Sequence, residues 1–451
     1  MKRLIAFDLR LLLRSRIAPL AVLAMLVVCA IAVANGRALS IWLIADHATA
    51  HATAEADAAK TVKRIAEATG PADTIFLAVR KEMPVIAQLP AMPDFSAGRA
   101  RIDPMSTTVR YATRSDTIFA NEALDNPELL ARGALDLGFV CLVIAPLLLI
   151  ALGFDVYARD RENGTAALIL AQGGNSFRLL LARSIVRLAL ICIPILGAAV
   201  VLLALGPHAP GRLVAAAAWL GISFLYLMLW WSLILLVNGM RFSAEASGIV
   251  LTALWLAIVI VAPTLVMAAA QSANPPPSRF ALLAAARAAE IKASSAYDND
   301  HPDLQRDDLA GWFESLRKTD AVTTSIANAV GPLSGKFDAQ LAAQQVTMLR
   351  FQFLSPTLVA DAALTRIAGT DAGSAADFRA AARSYSLEVR AALRPFIVER
   401  RLLRKSDIEA LPSFTWKRSH PSVGLEALFI AAFGFVVGLF AWRRLRDSRV
   451  S

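Results

Sequence analysis

Six apolar runs of roughly 20 residues each constrain this chain more than any other feature of its sequence. They lie at residues 17–43, 133–154, 188–206, 213–238, 247–271 and 422–442. A helix of that length crosses about 30 Å of hydrocarbon and leaves no backbone polar group unsatisfied in lipid. Hydrophobic residues make up 57% of the 451 residues and charged residues only 18%. We therefore predict an all-α integral membrane protein with six transmembrane helices.

The formal net charge of +10 lies largely in the flanks of these runs, which argues for an orientation signal and against a nucleic-acid partner. A chain with six spans brings four basic flanks to one side. By the positive-inside rule that side is the cytoplasm, so we expect both termini there. The basic residues are Lys2, Arg3, Arg10, Arg14, Arg16, Arg159, Arg161, Arg178, Arg183, Arg187, Arg241, Arg443, Arg444, Arg446 and Arg449.

This orientation divides the rest of the chain into cytoplasmic and extracytoplasmic parts. Residues 1–16 are expected to form a cytoplasmic amphipathic helix that contacts membrane lipid, because basic and apolar positions alternate there. Residues 155–187 form a cytoplasmic loop and 443–451 a tail, whereas 44–132 and 272–421 form two extracytoplasmic domains. Basic stretches at the end of the second domain oppose this assignment, but long translocated segments are largely exempt from the rule.

Both extracytoplasmic domains are predicted to be mainly helical. Residues 44–69 contain no Gly or Pro and many Ala and charged residues, which is typical of a helix that continues out of the first span. In the second domain, Ser355 is placed as an N-cap, Pro356 as the first helical residue and Gly369 as the stop. A further helix is expected to end at Pro395.

Few residues inside the spans are polar or helix-breaking. Pro146, Pro194 and Pro263 would break soluble helices, but a bundle tolerates them where neighbouring groups satisfy the freed carbonyls. Asp136 and Glu426 lie near the starts of their spans, so we assign them to the membrane interface. A proton-driven carrier would need ionisable residues deep in its helices, and this sequence has almost none.

No pattern in the sequence predicts a cofactor or a catalytic site in this chain. Residues Gly331 to Phe337 have three residues between their glycines where a P-loop needs four, and Phe337 replaces the Ser or Thr that binds magnesium. His47 and His51 could share a helix face, but no third ligand has a metal-site spacing. The other histidines and the cysteines, at His208, His301, His420, Cys29, Cys141 and Cys192, suggest neither a metal site nor a disulfide.

One short polar stretch between the second and third spans has a distinctive pattern. The stretch GFDVYARDRENGTAALILAQGG, Gly153 to Gly174, contains five charges within residues 155–162 and then becomes apolar. This order resembles the first cytoplasmic loop of type-2 ABC exporter permeases, where Asp, Glu-Arg-Glu-x-Gly-Thr and a leucine-rich helix follow a span. The matching residues are Asp155, Arg159, Asp160, Arg161, Glu162, Gly164 and Thr165. Asp160 replaces the usual Glu, and AQGGNS replaces the family's turn.

The resemblance implies that this chain lies in a bacterial inner membrane and functions with a separate partner subunit. In that family a coupling helix, here 160–171, docks on a separate ATP-binding cassette subunit that binds ATP and Mg. Closure of the subunit moves the transmembrane helices and exports a substrate, here unknown, through a homodimer or a pair of permeases. Residues before and after the loop, and the stretch FLSPTLVADAALTRIAGTDAGSAADF, resemble the subfamily with two large extracytoplasmic inserts. A mechanotransmission protein driven by a partner ATPase without transport remains the first alternative, and an ion-coupled secondary transporter is the second.

Overall fold

The computed structural model describes residues 2–15, 17–67, 79–114, 117–119, 135–165, 176–207, 210–240, 242–275, 278–302, 309–399, 401, 404–419 and 422–447. These residues are mostly helical, and their one sheet has two strands. The elements are α1 (Lys2–Arg14), α2 (Ile17–Glu67), β1 (Met83–Ile86), β2 (Ser106–Val109), α3 (137–153), α4 (Ala158–Glu162), α5 (Ser176–Leu205), α6 (Arg212–Asn238), α7 (Ala244–Ala273), α8 (Arg279–Asp300), α9 (Leu309–Phe351), α10 (Pro356–Ala368), α11 (Ala372–Val398), α12 (Lys405–Glu409) and α13 (Gly424–Asp447).

Six of these helices are long and apolar enough to cross a membrane: α2, α3 with α4, α5, α6, α7 and α13. The predicted all-α character and the number of spans are confirmed, which indicates a multi-pass membrane protein. Pro194 lies inside α5. Pro146 and Pro263 lie in the first turn after a π-helical segment, Val140–Ile144 in α3 and Leu256–Val261 in α7.

Contacts at the helix ends show that successive spans alternate in direction. At the proximal end, which we define by residues 155–165, α6 finishes beside Tyr157 and α7 begins beside Glu162. At the opposite, distal end, Arg212 at the start of α6 pairs with Asp94. The amphipathic helix α1 and the last turns of α13 are both proximal, because Asp8 contacts α5 and Leu445 packs near Tyr157. Among the basic flanks, Arg16, Arg241 and Arg449 lie outside the described residues.

The first predicted extracytoplasmic domain is only partly helical. As expected, α2 continues without a break from its span to Glu67 and is 51 residues long. Residues 79–114, however, are mainly irregular and include β1 and β2, which pair antiparallel with Met83 opposite Val109. The prediction of a mainly helical domain is therefore wrong for this part. Four prolines between residues 84 and 104 explain the difference, because each removes a donor and restricts its predecessor.

The second predicted extracytoplasmic domain is helical, but one part of it lies inside the bundle. Helices α9 and α10 are joined by a short 3-10 turn, Gln352–Leu354; we call this turn and the adjoining ends of the two helices the hairpin, and the turn its tip. Thr357 contacts Tyr226 halfway along α6, and Ser355 contacts Ile258 halfway along α7. The hairpin thus enters the bundle from the distal end, whereas the sequence placed all of 272–421 outside the membrane.

The boundaries of α10 match the sequence signals. Ser355 is the N-cap residue and Gly369, at φ 76°, ends the helix. The Ser355 hydroxyl does not cap α10, however, and donates instead to Ile258 O at 2.9 Å. The following helix, α11, does not end at Pro395 as predicted but continues to Val398. The carbonyl of Pro395 accepts the amide of Glu399 at 2.9 Å, so the helix completes one further turn after the proline.

Helix α11 closes the core of the distal region. Its buried side chains, among them Phe378 and Val389, belong to the same hydrophobic cluster as Val85 and Val109 of the two strands. The aromatic rings of Phe414 and Trp416 lie edge-on to Phe378 with centroids 6.0 and 5.4 Å away. Both inserts therefore contribute to one hydrophobic core outside the apolar bundle.

Candidate functional site

The charged stretch between α3 and α5 forms a short helix at the proximal end of the bundle. Helix α3 ends at Gly153, α4 follows at Ala158–Glu162, and Gly164 turns the chain with φ 70°. The Thr165 hydroxyl folds back and donates to Asp160 O at 3.0 Å. The prediction of one continuous helix over 160–171 is therefore wrong, because α4 ends at Glu162 and the turn at Asn163 and Gly164 interrupts the range. Residues 166–175, including the turn with the unusual AQGG sequence, lie outside the described residues.

Asn238, the last residue of α6, fixes the start of α4. Its side-chain oxygen accepts the amides of Tyr157 and Ala158 at 3.1 and 3.2 Å, and its side-chain nitrogen donates to Gly153 O at 3.2 Å. The side chain is fully buried. Since Tyr157 provides no side-chain cap, Asn238 supplies the cap from another span. The sequence shows an Asn at the end of an apolar run, but nothing in it indicated that this residue caps α4.

Two residues of the charged stretch contact the start of α7. The Glu162 carboxylate accepts the amide of Ala244, the first residue of α7, at 2.9 Å. A carboxylate is favoured there because the first amides of a helix are unsatisfied and its N-terminus is positive. Arg161 donates to the carbonyl of Phe242 just before the helix. These two neighbours therefore join the charged stretch to the fifth span.

Asp160 joins the same stretch to α5. Its carboxylate pairs with Arg183, whose side chain is only 12% exposed and also donates to Val156 O at 2.7 Å. Because this pair is largely shielded from water, it holds the loop more firmly than an exposed ion pair would. Arg183 thus links Val156, just before α4, and Asp160, within α4, to the third span.

The amphipathic helix α1 is bound to the same network through one carboxylate. Asp8 pairs with Arg187 at 2.9 Å and with Arg183 at 3.5 Å, and the side chain is 3% exposed. Arg187 also donates to Leu152 O at 2.8 Å, near the end of α3. Phe7 and Leu11 of α1 are exposed, and contact of this helix with lipid stays a prediction. The sequence did not predict the acidic residue that ties α1 to α5.

Some of the predicted site residues attach the loop to neighbouring helices, others are exposed at its surface, and Glu162 does both. Asp160, Arg161 and Glu162 bind neighbouring helices and fix the loop. Arg159 points outward, with 59% of its side chain exposed and a 3.1 Å contact to Asp155. Glu162 is also exposed at its surface, as are Asn163, Gly164 and Thr165. Residues 159 and 162–165 thus form an exposed edge of the loop, and the loop itself is attached to α5, α6 and α7.

Charged residues at the distal end are also partnered. Asp136 accepts the amides of Phe139 and Ala97 at 2.7 and 2.6 Å, so it caps α3 and binds the first insert. Glu426 at the start of α13 pairs with Arg366 of α10 at 2.6 Å. Both residues lie at the starts of their spans, and their place at the membrane interface stays a prediction.

Within the described part of the chain, no group of three or more His, Cys, Asp or Glu side chains is placed to hold a metal ion. The rings of His47 and His51 are 4.5 Å apart on α2. His301 stacks on Tyr297, and His208 and His420 lie outside the described residues. The P-loop-like stretch 331–337 lies within the continuous helix α9, where a phosphate-binding loop cannot form.

Comparison with known proteins gives one finding. Residues 279–417 match the family model described as a domain of unknown function (DUF3526). This range runs from α8 through α12 to Lys417, so it contains the hairpin and much of the distal core. No curated protein and no solved structure matches the chain.

Proposed function

We propose that this chain is the membrane-spanning permease subunit of an ATP-binding cassette transporter, which exports an unknown substrate with energy from ATP hydrolysed in a separate subunit. The observation that supports this most is the attachment of residues 155–165 to α5, α6 and α7 through Asp160, Asn238 and Glu162. A loop held in this way transmits an applied force, because it cannot move without the helix ends to which it is bound.

In this proposal the proximal end faces the cytoplasm and the distal region lies outside a bacterial inner membrane. The basic flanks of the spans support that orientation. ATP and Mg bind the partner ATPase and not this chain. A homodimer or a second permease completes the transport path, since one six-span subunit is expected to form only half of it.

The exposed edge of the loop is the proposed docking surface for the ATPase, and Arg159 tests it most cleanly. We expect Arg159→Glu to abolish both co-purification with the partner ATP-binding subunit and stimulation of that subunit's ATPase activity. The matched control is Arg287→Glu, because Arg287 is similarly exposed at 69% and pairs with Glu290 one turn away on distal helix α8. Equal behaviour of the two variants would contradict the proposed docking surface.

Glu162 tests whether attachment to α7 matters as well as docking. Glu162→Arg removes the acceptor for the Ala244 amide, so we expect ATPase stimulation to be lost while membrane insertion is retained. Glu162→Gln keeps an acceptor oxygen and should retain most of the stimulation. Full stimulation in the Glu162→Arg variant would show that the loop does not transmit motion through this bond.

Mechanical transmission without transport is a second candidate, favoured by one specific observation. Helix α2 runs unbroken from the proximal end to Glu67, and Ile65 near its distal end packs against the distal core. Such a helix can convey motion from one side of the membrane to the other. A substrate that stimulates ATP hydrolysis would favour transport, whereas hydrolysis that depends only on a distal protein partner would favour transmission.

A further inference from the structure

Two spans are weakened in the same way. Helices α3 and α7 each contain a π-helical segment, and in each a proline follows in the next turn, at Pro146 and Pro263. A π-helical turn departs from the regular hydrogen-bond ladder, and a proline removes one donor and displaces the preceding turn. Sharp bends in helices occur at such places.

The carbonyls freed in these two segments are bound by side chains of other elements. Leu142 O, four residues before Pro146, accepts the Tyr226 hydroxyl of α6 at 3.1 Å. Ile258 O, five residues before Pro263, accepts the Ser355 hydroxyl from the hairpin tip at 2.9 Å. The sequence expectation that neighbours satisfy such carbonyls is confirmed at both sites.

These two bonds belong to one connected arrangement. The Tyr226 hydroxyl also lies 2.8 Å from the Thr357 hydroxyl of the hairpin. Tyr226 and Ser355 are completely buried and Thr357 nearly so. We call Tyr226, Ser355 and Thr357 the latch. The weak points of α3 and α7 therefore meet at one place inside the bundle, bridged by the latch.

The two spans are also joined on the proximal side of their π-helical segments. Glu162, which follows α3 in the charged stretch, binds the first amide of α7 at Ala244. On the distal side of the π-helical segment of α3, Asp136 accepts the amide of Ala97 and so attaches the start of α3 to the first insert. The proximal halves are thus fastened to each other, and the distal half of α3 is fastened to the distal region.

We propose that α3 and α7 bend together at these two π-helical segments, and that the hairpin tip restrains the bend through the latch. We call these two segments the hinges. Loss of the Tyr226 bond makes the hinge of α3 easier to bend, and loss of the Ser355 bond does the same for the hinge of α7. The further step, in which an ATPase drives the bend by moving the charged stretch, rests on the proposed function.

Hydrogen exchange of the full-length chain in lipid nanodiscs tests the hinges without any partner. We expect Ser355→Ala to raise amide exchange in residues 256–266 about fivefold, the factor for roughly one hydrogen bond, and to leave residues 140–150 nearly unchanged. Tyr226→Phe should raise exchange in residues 140–150 and leave residues 256–266 nearly unchanged. The control is Ser184→Ala, since the buried Ser184 hydroxyl of α5 donates to Leu180 O of its own helix at 2.7 Å, away from both π-helical segments. No change in either segment, or the same change from all three variants, would overturn the hinge proposal.

The same measurement with the ATP-binding subunit separates the two proposals. A non-hydrolysable ATP analogue with Mg²⁺ should alter exchange in both segments of the complex. If the latch variants behave as expected but the nucleotide changes nothing, the hinges stand and the ATP-driven function fails. If the nucleotide acts and the latch variants do not, the latch is wrong and the function stands.

Discussion

Asp320 of α9 has three side-chain partners in the distal region. Its carboxylate accepts the Tyr111 hydroxyl at 2.7 Å and bonds from Arg390 and Arg394 at 3.1 and 3.2 Å. Burial opposes ionisation, but these bonds outweigh it and hold the pKa of Asp320 below its ordinary value of 3.8. The carboxylate therefore joins the first insert, α9 and α11 in its charged form.

This low pKa gives a pH-dependent prediction. A carboxylate with a depressed pKa contributes stability above its unfolded pKa, and the contribution is lost as the pH falls through the folded pKa. We expect Asp320→Asn to lower the free energy of unfolding at pH 7 by about 1–3 kcal/mol, and the difference from the native chain to shrink below pH 3.8. Thermal unfolding in detergent at several pH values measures this difference.

Asp338→Asn is the control for that experiment. Asp338 also connects α9 to α11 by pairing with Arg383, but its side chain is 42% exposed. An exposed pair contributes little, so we expect almost no change in stability at any pH. Equal losses of unfolding free energy in the two variants would mean that the buried pair contributes no more to stability than the exposed pair.

Individual residues of the candidate site were predictable only where local sequence decides their role. The order Asp160, Arg161, Glu162, Gly164 is visible as a motif, and the left-handed turn at Gly164 agrees with it. The cap from Asn238 was not predictable, because it joins residues about 80 positions apart and depends on how two spans pack.

At the scale of elements, the close approach of α2 to the first insert depends on Gly36. A Cβ atom at this position would lie 2.1 Å from the backbone oxygen of Asp94. Asp94 also pairs with Arg212, and both side chains are buried, so displacement of the insert would expose or separate this pair. Helix α2 can therefore pack here only without a side chain.

We predict that Gly36→Ala destabilises the protein by about 1–3 kcal/mol, as expected for an overpacked contact with backbone. The measurement is the thermal unfolding midpoint in detergent. Gly197→Ala provides the control, because nothing lies within 4 Å of a Cβ added to that glycine of α5. Since Ala favours helix more than Gly, the control should be neutral or slightly more stable. A stable Gly36→Ala variant would show that the insert can move away freely.

Element boundaries were predictable where residues with strong local preferences mark them. Ser355, Pro356 and Gly369 defined α10 correctly. The insertion of α10 into the bundle was not predictable from hydropathy, because its 13 residues are too short for a span and resemble an ordinary amphipathic helix. Its buried face fits among α6 and α13 only once the spans are assembled.

At the scale of the whole molecule, the six spans were predictable because a run of about 20 apolar residues has few structural alternatives. Alternation of the spans follows from their order and is visible in the contacts at both ends. Orientation in a membrane is a separate property, and it depends on basic residues such as Arg443 and Arg444 at the proximal end of α13. It therefore needs its own measurement.

Cysteine labelling in intact cells measures that orientation. Cys29, Cys141 and Cys192 would first be replaced by Ala, and Asn163→Cys or Arg287→Cys then introduced at exposed proximal and distal positions. We expect an impermeant maleimide to label the Arg287→Cys variant in intact spheroplasts and the Asn163→Cys variant only after permeabilisation. Labelling of both from one side would contradict the alternation of spans. The reverse pattern would place residues 155–165 outside, where no cytoplasmic ATPase can reach them, and the proposed function would fail.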